Sequence, residues 1–448
     1  MPESLSLVSG PVPALALVAA IAAVLGSVAW WRRAVLRRQL LVAVPSAAAA
    51  TAVLALLAQG FGVAALGVPA SFYVWTGLVL LALALGAVGW RRVGGGQRAV
   101  AILAVMLTAL SAGLRINMQY QYLPTVGALF GADAQHETTE RALSRMRGGG
   151  AQDAKLGYTL QLAIPGAKSG FAARNAYVWL PPAWFSDPSA KLPVIELLPG
   201  VPGGPVDWTR SAAADQTAQA FADTHHGLAP ILVMPDATGS ELADTECVNS
   251  PRGNAETYLT EDVPAFVEKR FGAASDAKSW AVGGLSAGGS CAIMLALRHP
   301  DRYSAFADYS GLAGPTVGDA MEPAQTTQEL FGGSAAEYRA HQPENLLRTT
   351  RFPGMGGWFE VGSADPGPLA AQRLLAPLAT SAGITTCTAV IPDGTHDFDT
   401  WTQAFRDSLP WLASRLGLTA APAPGRADEA HAEPPHTDPA SAAPVSCS

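Results

Sequence analysis

Charged side chains are scarce in this 448-residue chain, and their scarcity limits what the chain can do. Only 15% of its residues are Asp, Glu, Lys or Arg, whereas 49% are hydrophobic. The first 118 residues carry eight Arg and one Glu, with no Asp, Lys or His. The remaining residues carry 21 basic and 35 acidic side chains, a formal charge of −14. So acidic a segment is not expected to bind nucleic acid or to adhere electrostatically to an anionic membrane surface.

Uninterrupted apolar stretches dominate the N-terminal part. They cover residues 10–31, 40–62, 72–90 and 99–116. Each is about long enough to cross a bilayer core, which takes roughly 20 residues in a helix. We therefore predict an all-α transmembrane region of about four helices within residues 1–118. The stretches lack Asp, Glu and His, which favours an anchor in the lipid bilayer over an ion path, a channel or a sensor.

Arginine placement predicts the orientation of these helices. Basic residues follow the first and third stretches, at Arg32, Arg33, Arg37, Arg38, Arg91, Arg92 and Arg98. Cytoplasmic loops carry an excess of Arg and Lys, so both segments are expected in the cytoplasm. Four spans then place both termini and everything after Arg115 outside, in a multi-pass protein of the cell membrane. Because the arginines follow the first stretch rather than precede it, a cleaved signal peptide is not expected.

Cysteine is also rare. The four cysteines are Cys247, Cys291, Cys387 and Cys447, all in the part predicted to lie outside. An oxidising compartment permits disulfides, and four cysteines allow three complete pairings. Cys291 and Cys387 lie in apolar patterns, so buried free thiols are an equal alternative for them. None of the four has the spacing of metal ligands, and neither a metal nor another cofactor is predicted.

The outer part has three predicted segments. Residues 119–155 show no clear periodicity and are interpreted as a stalk or linker. Residues 156–418 alternate short apolar strand patterns with longer helical ones, which is typical of an α/β domain. Residues 419–448 are rich in Ala and Pro without a hydrophobic period, so a disordered tail is predicted.

The sequence Gly284-Leu-Ser-Ala-Gly288 has the pattern of a nucleophile elbow. An apolar strand pattern precedes it and a helical pattern follows it, as an elbow requires. A second strand pattern, at 192–198, runs into the Gly/Pro-rich residues 199–204, where an oxyanion loop is expected; an ordinary turn is the alternative. Serine acyl chemistry is the predicted function class.

Two further residues complete a candidate triad. Asp365 and His396 each follow a predicted strand, which gives the chain order Ser, Asp, His of α/β-hydrolases. Glu360 is a rival for the acid. A nearby acidic loop with Asp236, Glu241, Asp244 and Glu246 could hold calcium, but a solvated loop is favoured.

Taken together, five motifs in order resemble the putative-esterase family of α/β-hydrolases. They are Val178–Pro182, Leu197–Val201, Met234–Asp236, Gly284–Gly289 and Gly394–Trp401. That family includes bacterial carboxylesterases and the secreted mycolyltransferases of mycobacteria and corynebacteria. The resemblance covers roughly residues 156–417 and implies an α/β-hydrolase fold.

By the same resemblance, Ser286 is the nucleophile, His396 the base, and Asp365 or Glu360 the acid. The backbone N–H groups of Val201 and Ala287 would form the oxyanion hole.

Departures from the mycolyltransferase pattern favour hydrolysis over transfer to a sugar. Pro199 and Pro202 stand where those enzymes carry Asp and Arg contacts to trehalose, and Phe398 stands where they have Trp. We therefore predict a membrane-anchored esterase acting on an acyl ester. A mycolyltransferase-type acyltransferase and a non-catalytic binding module are the alternatives, and the acyl chain, the alcohol and the oligomeric state stay open.

Overall fold

The structure, a computed structural model, describes residues 5–60, 70–130, 137–148, 155–317, 322–418 and 445–448. The chain divides into two compact units, an N-terminal helical unit that ends at Ala132 and an α/β unit that begins at Asp133.

The first unit is all-helical, as predicted. Its helices are α1 (Pro11–Ser27), α2 (Arg33–Arg38), α3 (Val44–Gly60), α4 (Ala70–Gly89), α5 (Gly95–Tyr120) and α6 (Val126–Leu129). A π-helical turn joins α2 to α3, so they form one continuous helix. Three helices are long and apolar enough to cross a membrane, namely Arg33–Ala58, Ser71–Arg92 and Gly95–Tyr120. Helix α1 is apolar but has 17 residues, or about 26 Å, which is shorter than a bilayer core.

The first two apolar segments differ from their predicted bounds. Helix α1 ends at Ser27 instead of running to residue 31, because the buried Gln39 side chain stabilises the turn that follows. Its Oε1 accepts a hydrogen bond from Ala29 N at 2.9 Å, and its Nε2 donates to Leu85 O at 3.1 Å. Residues 33–38, predicted as a loop, are helical because arginine and leucine are good helix formers and no Gly or Pro lies between Arg33 and Val44.

The second unit is built on a ten-stranded sheet, and the predicted α/β-hydrolase fold is confirmed. Its strands are β1 (Glu137–Thr138), β2 (Tyr158–Leu162), β3 (Ala176–Leu180), β4 (Val194–Leu198), β5 (Ile231–Met234), β8 (Trp280–Leu285), β9 (Ala305–Tyr309), β10 (Gly356–Gly362), β11 (Thr385–Ile391) and β12 (Ser446–Cys447). Their order is β1-β2-β3-β5-β4-β8-β9-β10-β11-β12. A separate hairpin pairs β6 (Asn249–Ser250) with β7 (Gly253–Asn254).

The strands from β5 through β11 in this order are parallel, whereas β3 and β12 pair antiparallel with their neighbours. Strands β4, β5, β8, β9 and β10 are buried along their whole length, as expected of parallel strands covered on both faces. The carboxyl ends of parallel strands meet at one edge, which is where ligands bind in such sheets.

Helices connect and flank these strands. They are α7 (Glu140–Gly148), α8 (Pro182–Ser186), α9 (Asp207–Arg210), α10 (Ala214–Thr224), α11 (Ala255–Thr257), α12 (Val263–Phe271), α13 (Ala287–Arg298), α14 (Pro323–Phe331), α15 (Ala335–Ala340), α16 (Pro343–Thr349), α17 (Pro366–Ser381) and α18 (Phe398–Arg415). A π-helical turn links α11 to α12, and α12 is capped after Phe271 by Gly272, whose φ of 69° suits glycine.

The segment predicted as a stalk contains regular structure. Strand β1 pairs with β2, and Leu143 on α7 is only 1% exposed within the core of the second unit. Glu140 also forms an ion pair with Arg270 on α12. The second unit thus begins before residue 156, because a short helix with one deeply buried leucine belongs to its core.

The last residues of the chain are ordered, which corrects part of the predicted tail. Strand β12 lies antiparallel to β11, and Ser448 N donates to Thr386 O at 2.9 Å. A disulfide between Cys387 and Cys447 fixes this pairing. Residues 419–444, the remainder of the predicted disordered tail, lie outside the described residues.

The second disulfide joins Cys247 to Cys291, so the cysteines form one of the three possible pairings. Cys291 and Cys387, for which free thiols were the alternative, are both oxidised. The Cys247–Cys291 bridge ties the loop after β5 to α13.

Candidate active site

Ser286 lies at the sharp turn between β8 and α13, the predicted elbow. Its φ of 55° and ψ of −123° are sparsely populated for a residue with a side chain. The turn is held by a hydrogen bond from Ser286 N to Tyr309 O at 2.9 Å. The serine is therefore presented at the carboxyl end of a central strand.

Two glycines of the elbow are required sterically. A Cβ on Gly284 would lie 2.1 Å from Gly288 O, and a Cβ on Gly288 would lie 2.3 Å from Leu198 O. Any side chain at either position would push β4, β8 and α13 apart, which is why the elbow pattern carries glycine at both places.

His396 and Asp365 lie beside Ser286 in one hydrogen-bonded series. Ser286 Oγ is 2.8 Å from His396 Nε2, and His396 Nδ1 is 2.6 Å from Asp365 Oδ2. The Asp365 side chain is 7% exposed, whereas that of His396 is 40% exposed. The carboxylate is thus shielded from water, and the imidazole remains accessible to a substrate.

The loops that carry these two residues are tied together by backbone contacts. Ala364 N donates to Gly394 O at 2.9 Å, and Ser363 N donates to Ile391 O at 2.9 Å. A Cβ on Gly362 would lie 2.1 Å from Gly394 O, so the loops approach closely only because this residue is glycine. Trp401 and His396 pack in a T-shaped arrangement, with ring centroids 4.9 Å apart.

Glu360, the rival acid, points elsewhere. Its Oε2 accepts a hydrogen bond from Trp358 Nε1 at 2.8 Å. Burial, with the nearby Asp407 carboxylate, raises the pKa of Glu360 to about 8. The structure therefore brings Asp365, and not Glu360, to the histidine.

The loop predicted to supply the oxyanion hole lies against the serine. We define Pro199–Gly204 as the oxyanion loop. A Cβ on Gly200 would lie 3.2 Å from Ser286 Cβ, which places Val201 one residue from this contact. Ala287 is the first residue of α13, where backbone N–H groups have no intrahelical acceptor. The backbones of both predicted donors thus adjoin the serine.

Two polar residues of the site, the buried Asp308 and the part-buried Arg174, were not predicted. Asp308, on β9, accepts a hydrogen bond from Gly311 N at 2.7 Å, and burial raises its pKa to about 7. A Cβ on Gly289 or Gly311 would lie 2.4 Å from Asp308 Oδ1. Arg174, before β3, contacts the oxyanion loop directly through Gly203 O at 2.9 Å. The one sequence signal for either residue was the presence of Asp308 inside the otherwise apolar run of β9, which could have indicated a buried carboxyl near the site.

The acidic loop after β5 binds an arginine in this structure. Asp236 forms an ion pair with Arg174, at 2.8 Å between Oδ1 and Nη2. Burial raises the pKa of Asp244 and of Glu246. Across the part of the chain that the structure describes, no group of three or more His, Cys, Asp or Glu side chains is arranged to hold a metal ion.

Comparison with known proteins yields a family and a relative. The family model described as "Putative esterase" matches residues 172–412. An uncharacterised protein of Corynebacterium glutamicum is 35% identical over 346 residues, which cover 73% of this chain and 78% of the relative. These matches extend over most of the second unit.

Solved structures are similar to the second unit at low identity. A ferulic acid esterase has a TM-score of 0.47 and 20% identity, over 58% of this chain and 99% of its own. An S-formylglutathione hydrolase from Agrobacterium tumefaciens has a TM-score of 0.47 and 21% identity, over 58% of this chain and 95% of its own.

Proposed function

The chain belongs to the putative-esterase family of carboxylic ester hydrolases, and we propose that it is a membrane-anchored esterase whose nucleophile is Ser286. The observation that carries this proposal is the series of contacts at 2.8 and 2.6 Å from Ser286 through His396 to Asp365. Such a series is what an activated serine requires.

The geometry supports a two-step mechanism through an acyl-enzyme. A carboxylate only accepts hydrogen bonds, so His396 Nδ1–H donates to Asp365 and leaves Nε2 free to take the Ser286 proton. Oγ then bonds to the ester carbonyl carbon, the alcohol leaves with the proton from Nε2, and water repeats the sequence to release the acid. N–H groups of Val201 and Ala287 would stabilise the oxyanion, at about 3–4 kcal/mol per donor in comparable sites.

Membrane anchoring and an extracytoplasmic location form part of this proposal. Three helices long and apolar enough to span a bilayer support membrane association. Two disulfides support an oxidising compartment for the second unit. Neither observation depends on the catalytic assignment.

A fluorophosphonate probe and a panel of simple acyl esters test the nucleophile. The wild-type chain should be labelled and should hydrolyse short or medium acyl esters. Ser286→Ala should abolish labelling, and Ser286→Ala or His396→Ala should lower kcat by roughly 10⁴ to 10⁶. Ser189→Ala, which alters an exposed serine bonded to Asp187, should change nothing. Normal turnover in Ser286→Ala would overturn the proposal.

The acid is tested by a matched pair of substitutions. Asp365→Asn should lower kcat by about 10⁴, because the amide favours the wrong histidine tautomer. Glu360→Gln keeps an acceptor for Trp358 and should keep activity. The reverse pattern would assign the acid to Glu360.

Hydrolysis and transfer are distinguished with trehalose. The proline side chains of Pro199 and Pro202 cannot hydrogen-bond a sugar. Added trehalose should neither accelerate acyl-enzyme breakdown nor appear acylated in the products. Efficient formation of acyl-trehalose would establish the acyltransferase alternative instead.

A further inference from the structure

The guanidinium of Arg174 joins two loops at the carboxyl edge of the sheet. Its Nη2 donates to Asp236 Oδ1 and to Thr238 Oγ1, each at 2.8 Å, and its Nε lies 3.1 Å from Asp236 Oδ2. The same Nη2 donates to Gly203 O, in the oxyanion loop, at 2.9 Å. The turn after β5 and the loop after β4 are therefore connected through one side chain.

Three further hydrogen bonds hold Gly203 and Gly204, including one from Asp207 N to Gly204 O at 3.0 Å. Gly203 N donates to Glu241 O at 3.0 Å, and Gly204 N donates to Asp207 Oδ2 at 2.8 Å. A Cβ on Gly204 would lie 2.8 Å from Arg174 Nη1, so the guanidinium packs directly on the loop backbone. Gly204 is therefore in contact with both Arg174 and Asp207.

Asp236 holds the guanidinium in place. Its side chain is fully buried, whereas that of Arg174 is 31% exposed. Burial by itself would raise the pKa of Asp236, but the hydrogen bonds from Arg174 and Thr238 hold it below its usual value. The carboxylate stays charged and bound to the guanidinium at neutral pH.

We propose that Arg174 is a positioning residue for ester hydrolysis, which fixes the Val201 N–H at the oxyanion by holding the Gly203 carbonyl. Only Pro202 lies between Gly203 and Val201, and on the other side Gly200 lies so close to Ser286 that a Cβ added to it would be 3.2 Å from Ser286 Cβ. The inference rests on the proposed function, since an oxyanion forms only if Ser286 attacks an ester.

Arginine is needed here because of its geometry. Its planar guanidinium holds Nε and Nη2 in a fixed fork against both oxygens of Asp236, and the two N–H groups of Nη2 are shared among Asp236, Thr238 and Gly203. A lysine ammonium is a single point charge on a flexible stem and cannot hold all three acceptors in one arrangement.

The test compares Arg174→Met and Arg174→Lys with Arg348→Met, which removes an exposed arginine paired with Glu344 on α16. We expect kcat for an acyl ester to fall 10- to 100-fold in both Arg174 variants, with KM within threefold, because the oxyanion contact forms only in the transition state. The inhibition constant of a trifluoromethyl ketone, which forms an oxyanion on Ser286, should rise by the same factor. Arg348→Met should match the wild type.

A merely structural role gives a different pattern. Unchanged kcat, or an unchanged ketone inhibition constant in a variant with lower kcat, would overturn the proposal. If Arg174→Met fails to fold, Asp236→Asn weakens the same contact with little change of shape. This variant should show the same fall in kcat and the same rise in the inhibition constant of the ketone. Fluorophosphonate labelling of the wild type but not of Ser286→Ala tests the proposed function separately from Arg174.

Discussion

At the scale of single residues, Glu196 is the clearest case of a side chain whose ionisation is set by the fold. It lies on β4 with no exposed surface, and its Oε2 accepts a hydrogen bond from Tyr303 OH at 2.9 Å. Its Oε1 has no hydrogen-bond partner among the described residues. Burial raises the pKa of Glu196 to about 8, so the folded protein holds this carboxyl protonated at neutral pH.

Stability should therefore fall as pH rises toward 8. The unfolded chain loses the Glu196 proton near pH 4.5 and the folded chain only near pH 8, so folding becomes less favourable throughout this window, by at most about 1.4 kcal/mol per pH unit. Glu196→Gln removes this titration and should make the fall of Tm between pH 5 and 8 less steep, while Asp308 and Glu360, whose pKa values are also raised, keep the remainder of the slope. Thermal unfolding of the second unit, followed by tryptophan fluorescence in detergent, measures it.

Glu344→Gln serves as the control for that series, because Glu344 is exposed and paired only with Arg348. Its Tm profile should run parallel to that of the wild type. A Glu196→Gln profile that is equally parallel would show that Glu196 does not determine the pH dependence.

Which site residues the sequence could predict depends on how local their signals are. Ser286 sits in a contiguous motif, and His396 and Asp365 each follow a strand in a recognisable order. Arg174 carries no such signal, because its partners Asp236 and Gly203 lie 62 and 29 residues away. Only the folded sheet brings these three residues together.

At the scale of secondary-structure elements, β12 depends on a covalent bond. It has two residues, too few to pair stably by backbone hydrogen bonds alone, and Cys447 is joined to Cys387 on β11. The bridge closes a loop of 60 residues, which corresponds to roughly 4 kcal/mol in the chain-entropy account.

Removal of this bridge should destabilise the second unit without stopping the reaction. Cys447→Ser should lower the free energy of unfolding by about 2–4 kcal/mol, whereas esterase activity well below Tm should persist because β9, β10 and β11 separate β12 from the elbow strand. Thermal unfolding under non-reducing conditions measures the loss. Cys387→Ser with Cys447→Ser should cost about as much as Cys447→Ser alone, and full additivity would contradict the assigned bridge.

The elements that the sequence did not predict share a physical cause. Long parallel strands have continuous apolar runs, so β4, β8 and β10 could be predicted. Helix α7 and strand β12 are short, and contacts with distant parts of the chain stabilise them. In α7 the contact is the buried side chain of Leu143, and in β12 it is the disulfide from Cys447 to Cys387. Periodicity over so few residues is too weak to predict such elements.

At the scale of the whole molecule, the asymmetry of charge predicts how the chain crosses the membrane. Arginines lie around the α1–α2 turn and the α4–α5 turn, whereas the residues after the last long apolar helix are strongly acidic. Positive residues are retained in the cytoplasm, so we predict that both arginine-bearing turns lie inside. On this prediction the hydrolase unit is exported, in agreement with its two disulfides.

Reporter fusions at Ser448 test this orientation, and arginine substitutions test its cause. An export-dependent enzyme fused there should be active and a cytoplasm-dependent one inactive, and protease added to intact cells should reach the second unit.

The arginines are tested by joint replacement of Arg91, Arg92 and Arg98 by Gln, which leaves the apolar helices intact but removes the positive charge that retains the α4–α5 turn. A measurable fraction of the chains should then invert, so the export-dependent reporter loses activity and the cytoplasm-dependent reporter gains it. Replacement of Arg348, Arg351 and Arg373 removes the same charge at positions that follow the last candidate membrane helix, Gly95–Tyr120, by more than 200 residues in the sequence, and should switch none. Cytoplasmic signal from the wild-type fusion would contradict the orientation and, with it, the oxidising compartment that the disulfides require.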